Sequence, residues 1–236
     1  MARIRAGFVQ RGGGAGVDTD KAKRWGITRL WFEADDPVAS KDTLAALRQP
    51  DRMGPAGVGL MRDPDWSREM LTNAGVATVL SNDLLAHGFG STTSASSCGA
   101  MFDNERQDAA GIVEMLTAWR RLRPTRQTVW TLQVFQEGWF SDGLCQAVAG
   151  DPNLVLVLQA YIDPSDPPAA HMYPADFAEA KTRLLARFTG AGAALDPDRV
   201  QPFVDATRMW LESPPYGWSG IVYDFAALPP SPPFPL

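Results

Sequence analysis

The sequence predicts an α/β protein built as a single (β/α)8 TIM-type barrel, and three observations carry that expectation. Short apolar, β-branched runs recur along the whole chain, at 5–10, 27–33, 57–63, 76–83, 128–137, 154–161, 200–205 and 220–224. Stretches with helical periodicity separate most of them, and alternating strand and helix signals imply a parallel sheet. Eight such runs in 236 residues suit one closed barrel, for which about 250 residues is typical. In that fold the strand C-termini converge on one face, where function is carried.

The first run, Arg5–Gln10, is followed by Gly12-Gly13-Gly14-Ala15-Gly16. This spacing matches neither GxGxxG nor a loop ending in Gly-Lys-Ser/Thr, so it is a flexible loop and not a phosphate cradle. Asp18 or Thr19 can cap a short helix that runs to Trp25 and closes at Gly26. The second run ends in Glu33-Ala34-Asp35-Asp36-Pro37, and a helix is expected over Lys41–Arg48. The third ends in Arg62-Asp63-Pro64, after which Asp65 caps Trp66–Asn73.

The fourth strand is expected over Val76–Ser81, leading into a Gly-, Ser- and Thr-rich loop at Leu84–Met101. Asp103 then caps the clearest helix, with Ala109, Ile112, Val113, Leu116 and Trp119 on one face. The fifth strand covers Thr128–Phe135. The sixth, Leu154–Leu158, is apolar at every position, as a strand buried on both faces requires. Asp176 caps a helix over Phe177–Phe188. The seventh run is the least regular strand, because Pro202 lacks a backbone donor. After the eighth run, Pro229-Pro230-Ser231-Pro232-Pro233-Phe234-Pro235 favours polyproline II. The barrel is therefore expected over residues 1–228, with a proline-rich tail over 229–236.

A hydrophobic fraction of 45% supplies a sizeable core. The net charge is -5, and the longest basic cluster is Arg120-Arg121-Leu122-Arg123 at a helix end, so nucleic acid is not an expected partner. No apolar stretch reaches membrane-spanning length, and Met1 leads into a strand and not a signal core. Cys98, Cys145, His87 and His171 have no metal-ligand spacing, so no metal and no other cofactor is expected. A divalent ion held by carboxylates is the one metal option left open. The nucleophile elbow GxSxG is missing.

The residues that end the runs carry the functional expectation. Glycosidases cleave with two carboxyl groups flanking the scissile bond, and a barrel mouth can bring strand-end acids together. Glu137 is the first catalytic candidate, because Gln136-Glu137-Gly138-Trp139 directly follows a long strand. Asp224 and Asp205 are its candidate partners. Glu33, Trp139, Gln159, Tyr161, Tyr223 and Trp218 are the candidate carbohydrate contacts, since aromatic faces stack on sugar rings. Acids at strand ends also cap helices or pair with arginine, so each has a purely structural alternative.

The segments Gly26–Pro37, Gln159-Ala160-Tyr161, Val204–Arg208 and Gly220–Asp224 together resemble the glycosidase-like TIM-barrel modules of minor tail proteins in actinobacteriophages. The resemblance spreads over nearly the whole chain. It implies a virion structural protein, made in the host cytoplasm and carried in the tail. The implied partners are other phage tail proteins, copies of the chain itself as a homo-oligomer, and a host cell-surface glycan. The implied role is tail-tip assembly or glycan attachment; an active glycoside hydrolase of host cell-wall polysaccharide is the alternative. Large barrel glycosidase families place catalytic Glu residues after strands four and seven. Those positions hold Ser81-Asn82-Asp83 and Asp205, and the chain is expected to lack both the DxxDxDxE of chitinase-like barrels and the paired Asp-x-Glu of lysozyme-like barrels.

Overall fold

The computed structural model describes residues 5–9, 19–27, 29–33, 57–62, 100–103, 113, 116–117, 120–121, 128–133, 136–159, 175–205, 220–223 and 228–232. Eight strands are present: β1 Arg5–Val9, β2 Arg29–Glu33, β3 Gly57–Arg62, β4 Ala100–Asp103, β5 Thr128–Gln133, β6 Leu154–Gln159, β7 Val200–Asp205 and β8 Gly220–Tyr223. Each pairs in parallel with the next, and β8 pairs back onto β1, so the sheet closes on itself. Three helices are described: α1 Thr19–Arg24, α2 Asp142–Gly150 and α3 Ala175–Gly190. Short 3-10 turns cover Glu137–Trp139 and Pro197–Arg199.

Seven of the expected strands lie where the apolar runs put them. The fourth does not. Ala100–Asp103 pairs with β3 through Leu60↔Ala100 and with β5 through Asp103↔Thr131, and so holds the fourth place in the sheet. Residues 76–83 lie outside the described residues, as do the expected helices at 41–48 and 66–73. Asp103 is consequently a strand residue and not a helix cap. The strand-five run also stops earlier than expected, at Gln133, and Glu137 opens the turn beyond it. Helix α3 begins at Ala175, which puts Asp176 inside its first turn.

Alternation along the strands sorts side chains into two sets. Trp130 packs on Phe140 with ring centroids 5.3 Å apart, and Phe140 packs on Phe188 of α3 at the same spacing. Trp130 therefore faces the helix layer, and Val129 and Thr131 face the barrel interior. Register carries that sorting into β6 and β7, placing Val157, Gln159, Gln201 and Phe203 inside. All six are buried. Burying each of the three aromatic rings contributes about 2–3 kcal/mol, which makes this stack the principal joint between sheet and helices.

Two local features set the ends of the elements. Helix α1 ends in a Schellman motif: Ile27 N–H donates to Ala22 O at 2.9 Å and Gly26 N–H to Lys23 O at 3.0 Å. Gly26 supplies the φ of 64° that this motif needs. Helix α2 starts at Ser141, whose hydroxyl accepts from Leu144 N–H at 3.2 Å, and it buries Leu144, Cys145 and Val148.

Candidate functional site

Backbone register assembles the C-terminal end of the barrel. Gln133, Gln159, Phe203 and Ile221 form one row across β5 to β8. Asp205 and Tyr223 are partners one step above it. Asp103, Thr131, Val157 and Gln201 form another row, starting from the last residue of β4. Gln159 closes β6 and is 9% exposed, which places an amide at the floor of the mouth.

The revised strand four changes which acids belong to this end. Asp103 ends β4, and the sequence continues Asn104-Glu105. An Asp-x-Glu pair thus begins at the tip of strand four, where strand assignment from sequence had left none. The signal was present as Asp103-Asn104-Glu105, but it was assigned to the start of a helix.

Glu137 sits elsewhere. Its carboxylate is ion-paired with Arg183 of α3, and Arg183 also approaches Glu179 at 3.7 Å. The small cavity beside Glu137 is lined by Leu132, Phe140, Leu158, Ala180 and Leu184. Leu132 and Leu158 belong to the set that faces the helix layer. Glu137 therefore stands in the seam between sheet and α3, behind the sheet and not in the lumen. At this position Glu137 joins the rim turn to α3 through its ion pair with Arg183.

The neighbouring arginine of α3 does the same work one turn later. Arg187 donates from Nε to Phe140 O at 2.8 Å and from Nη2 to Asp142 Oδ1 at 2.6 Å. Together Arg183 and Arg187 fix the loop that joins β5 to α2, and with it Trp139, which is half-buried. At the opposite end of the barrel, Arg199 is 4% exposed and donates to four main-chain carbonyls. These are Leu154 O at 2.8 Å, Ala149 O at 3.1 Å, and Val148 O and Asp151 O at 2.6 Å. It thereby satisfies the C-terminal carbonyls of α2 and ties them to the start of β6. Sequence reasoning found none of these three arginines, because the bonds to Glu137, Phe140 and Leu154 each span more than forty residues.

Of the other expected site residues, Asp205 and Tyr223 are placed as strand-end register partners. Glu33 ends β2 opposite Met61. Tyr161, Trp218 and Asp224 lie outside the described residues. Among the described residues no group of three His, Cys, Asp or Glu side chains could hold a metal ion. No helix among them is long and apolar enough to cross a membrane.

Neither a family model nor a curated protein matches this sequence. Solved structures do match. Catalytic site mutants of active domain 2 of the chitinase from Pyrococcus furiosus share 9% identity at a TM-score of 0.56, over 93% of this chain and 83% of that one. The same domain complexed with chito-oligosaccharides gives a TM-score of 0.57, 9% identity and coverage of 93% and 82%. A mutant GH18 chitinase from Cycas revoluta in complex with (GlcNAc)4 gives 0.52, 13% identity and coverage of 86% and 68%. At these identities the likeness is one of fold, a glycosidase-like TIM barrel.

Proposed function

We propose that the complete chain is a (β/α)8 TIM-type barrel that binds and cleaves a polysaccharide containing N-acetylated amino sugars. One observation carries this reading: β4 of a chitinase-like barrel ends on Asp103, the first member of Asp103-Asn104-Glu105. In this role Glu105 is the general acid that protonates the glycosidic oxygen, and Asp103 orients it. A sugar acetamido group can serve as the internal nucleophile in substrate-assisted glycosidases, so one protein acid with a supporting carboxylate suffices. Asp205, which ends β7, is a further acid of this proposal, and Asp224 is a further candidate from the sequence. Gln159, Tyr161, Tyr223, Trp218, Glu33 and Trp139 are the glycan contacts of this proposal.

The test is sugar release from chito-oligosaccharides and from purified actinobacterial cell-wall polysaccharide by the native chain, Glu105→Gln and Glu137→Gln. Loss of a general acid lowers turnover by about 100- to 10,000-fold. That loss is expected in Glu105→Gln alone. If the native chain binds these sugars but releases none, the barrel is a glycan-attachment module and not a hydrolase.

A second reading rests on the sequence segments at 26–37, 159–161, 204–208 and 220–224. It makes the chain a virion protein of a phage tail, assembled with other tail proteins or with further copies of itself. Antibody labelling of purified particles tests it: label at the tail tip supports the reading, and unlabelled particles remove it.

A further inference from the structure

The proline-rich segment at the end of the chain contacts helix α1 through its main chain. The indole Nε1–H of Trp25 donates to Pro229 O at 2.8 Å, and Arg24 Nε–H donates to Pro230 O at 2.6 Å. Two successive side chains thus engage two successive carbonyls. Trp25 is fully buried and Leu228 is 3% exposed, whereas Pro230 and Ser231 are exposed. The segment is laid along the surface with one side engaged and the other open to solvent.

The physical chemistry of this contact is specific to proline. Proline has no N–H and so cannot extend a sheet or a helix by donating. Residues 228–232 lie outside any helix or strand and bend at 228, 230 and 231, which leaves the Pro229 and Pro230 carbonyls available to side-chain donors. The proline-rich backbone is already restricted before it docks, so little conformational freedom is lost. On the α1 side, the Schellman motif at Gly26 holds Trp25 directly after Arg24, the last residue of the helix. Trp25 then presents an aromatic face with a donor at its edge, and Arg24 adds a second donor. The indole and guanidinium of two adjacent residues supply the donors that two successive carbonyls accept.

We propose that Arg24 and Trp25 form a receptor for a proline-rich strand, and that Leu228–Pro232 is its intramolecular ligand, latching the chain after β8 onto the helix after β1. The seam between the last and first strands is where a barrel must be held closed, and this latch spans it. Covalent attachment gives the tail a high effective concentration, so it outcompetes free peptides in the native chain.

The experiment uses the full-length chain and the NMR signal of the Trp25 indole N–H, identified by its disappearance in Trp25→Phe. A double variant, Pro229→Gly with Pro230→Gly, keeps both carbonyls and removes the restriction on the strand. Its Trp25 indole is expected to exchange with solvent at least 10-fold faster than in the native chain. Excess synthetic peptide of residues 226–236 is expected to restore protection, and to fail to do so when Arg24→Ala is added. Native-like protection in the double variant overturns the proposal. So does failure of the peptide to restore protection in a double variant whose near-ultraviolet circular dichroism is native. If the double variant does not fold, Arg24→Ala alone decides: faster solvent exchange of the Trp25 indole N–H supports the latch, and an unchanged rate overturns it.

Discussion

Gly220 opens β8 against Pro202 of β7 so closely that a Cβ on it would collide with Pro202 O and stand 2.9 Å from the proline Cγ. The two residues explain each other. A proline in the interior of a sheet removes a ladder donor and adds ring bulk, and a glycine on the next strand leaves room for that ring. Gly220 also has a φ of 125°, a conformation that side-chain-bearing residues rarely adopt.

Gly220→Ala is therefore expected to destabilise the protein by about 3 kcal/mol, combining backbone strain with overpacking. Urea unfolding checks this as a lower midpoint with an unchanged slope. Pro202→Ala in the same background should recover part of the loss, because it removes the ring atoms that the new Cβ would meet.

Arg199→Met is expected to cost about 3 kcal/mol, since it removes four charge-assisted hydrogen bonds, although Val148 O and Asp151 O keep main-chain donors. Arg199→Lys should recover little, because an ammonium cannot reproduce the planar fork that reaches four acceptors. Thermal unfolding of the three proteins measures both effects. A fully rescued lysine variant would show that charge, and not geometry, is what the site requires.

Glu137→Gln and Arg183→Ala should each lower stability by about 0.5–1 kcal/mol, a modest value because Arg183 is half exposed and the pair is screened. Sugar release by Glu137→Gln should stay within a few-fold of the native rate, in contrast to Glu105→Gln. A collapse of activity in Glu137→Gln with an unchanged melting temperature would return Glu137 to the catalytic group.

Burial pushes the Cys145 thiol above its ordinary value of 9.0. The folded protein then keeps a proton that the unfolded chain releases, so stability is retained below pH 9 and falls as pH rises beyond it. Cys145→Ala should flatten this alkaline decline relative to the native chain. In the folded native chain, alkylation of Cys145 followed by peptide mass spectrometry should be slow at pH 8 and become fast on unfolding.

Most of the sheet was legible because its strands are short apolar runs bounded by glycine, proline or polar residues, a pattern that does not depend on distant partners. Leu154–Leu158 is the clearest case, and Val200–Asp205 matched even with Pro202 in it, because the space the proline needs is provided on another strand. Strand four was not legible. Val76-Ala77-Thr78-Val79-Leu80 has the better strand propensity, whereas Ala100-Met101-Phe102-Asp103 has no β-branched residue and is defined by pairing on both sides. That displacement hid the Asp-x-Glu pair and promoted Glu137 in its place. The strand-end positions of Asp205 and Gln159 were legible because each is the polar residue that closes an apolar run. The Arg183 partner of Glu137 lies on another helix, and no local pattern announces it.

Arg199 binds only main-chain oxygens, and this has a consequence for how the fold drifts over evolutionary time. Residues 148, 149, 151 and 154 can exchange their side chains without altering the acceptors that the guanidinium uses. Position 199 should then stay arginine among relatives while its neighbours in space vary independently of it. Methods that detect contacts from correlated substitutions would miss the joint that holds α2, β6 and β7 together, because no side chain on the other side has to change in step.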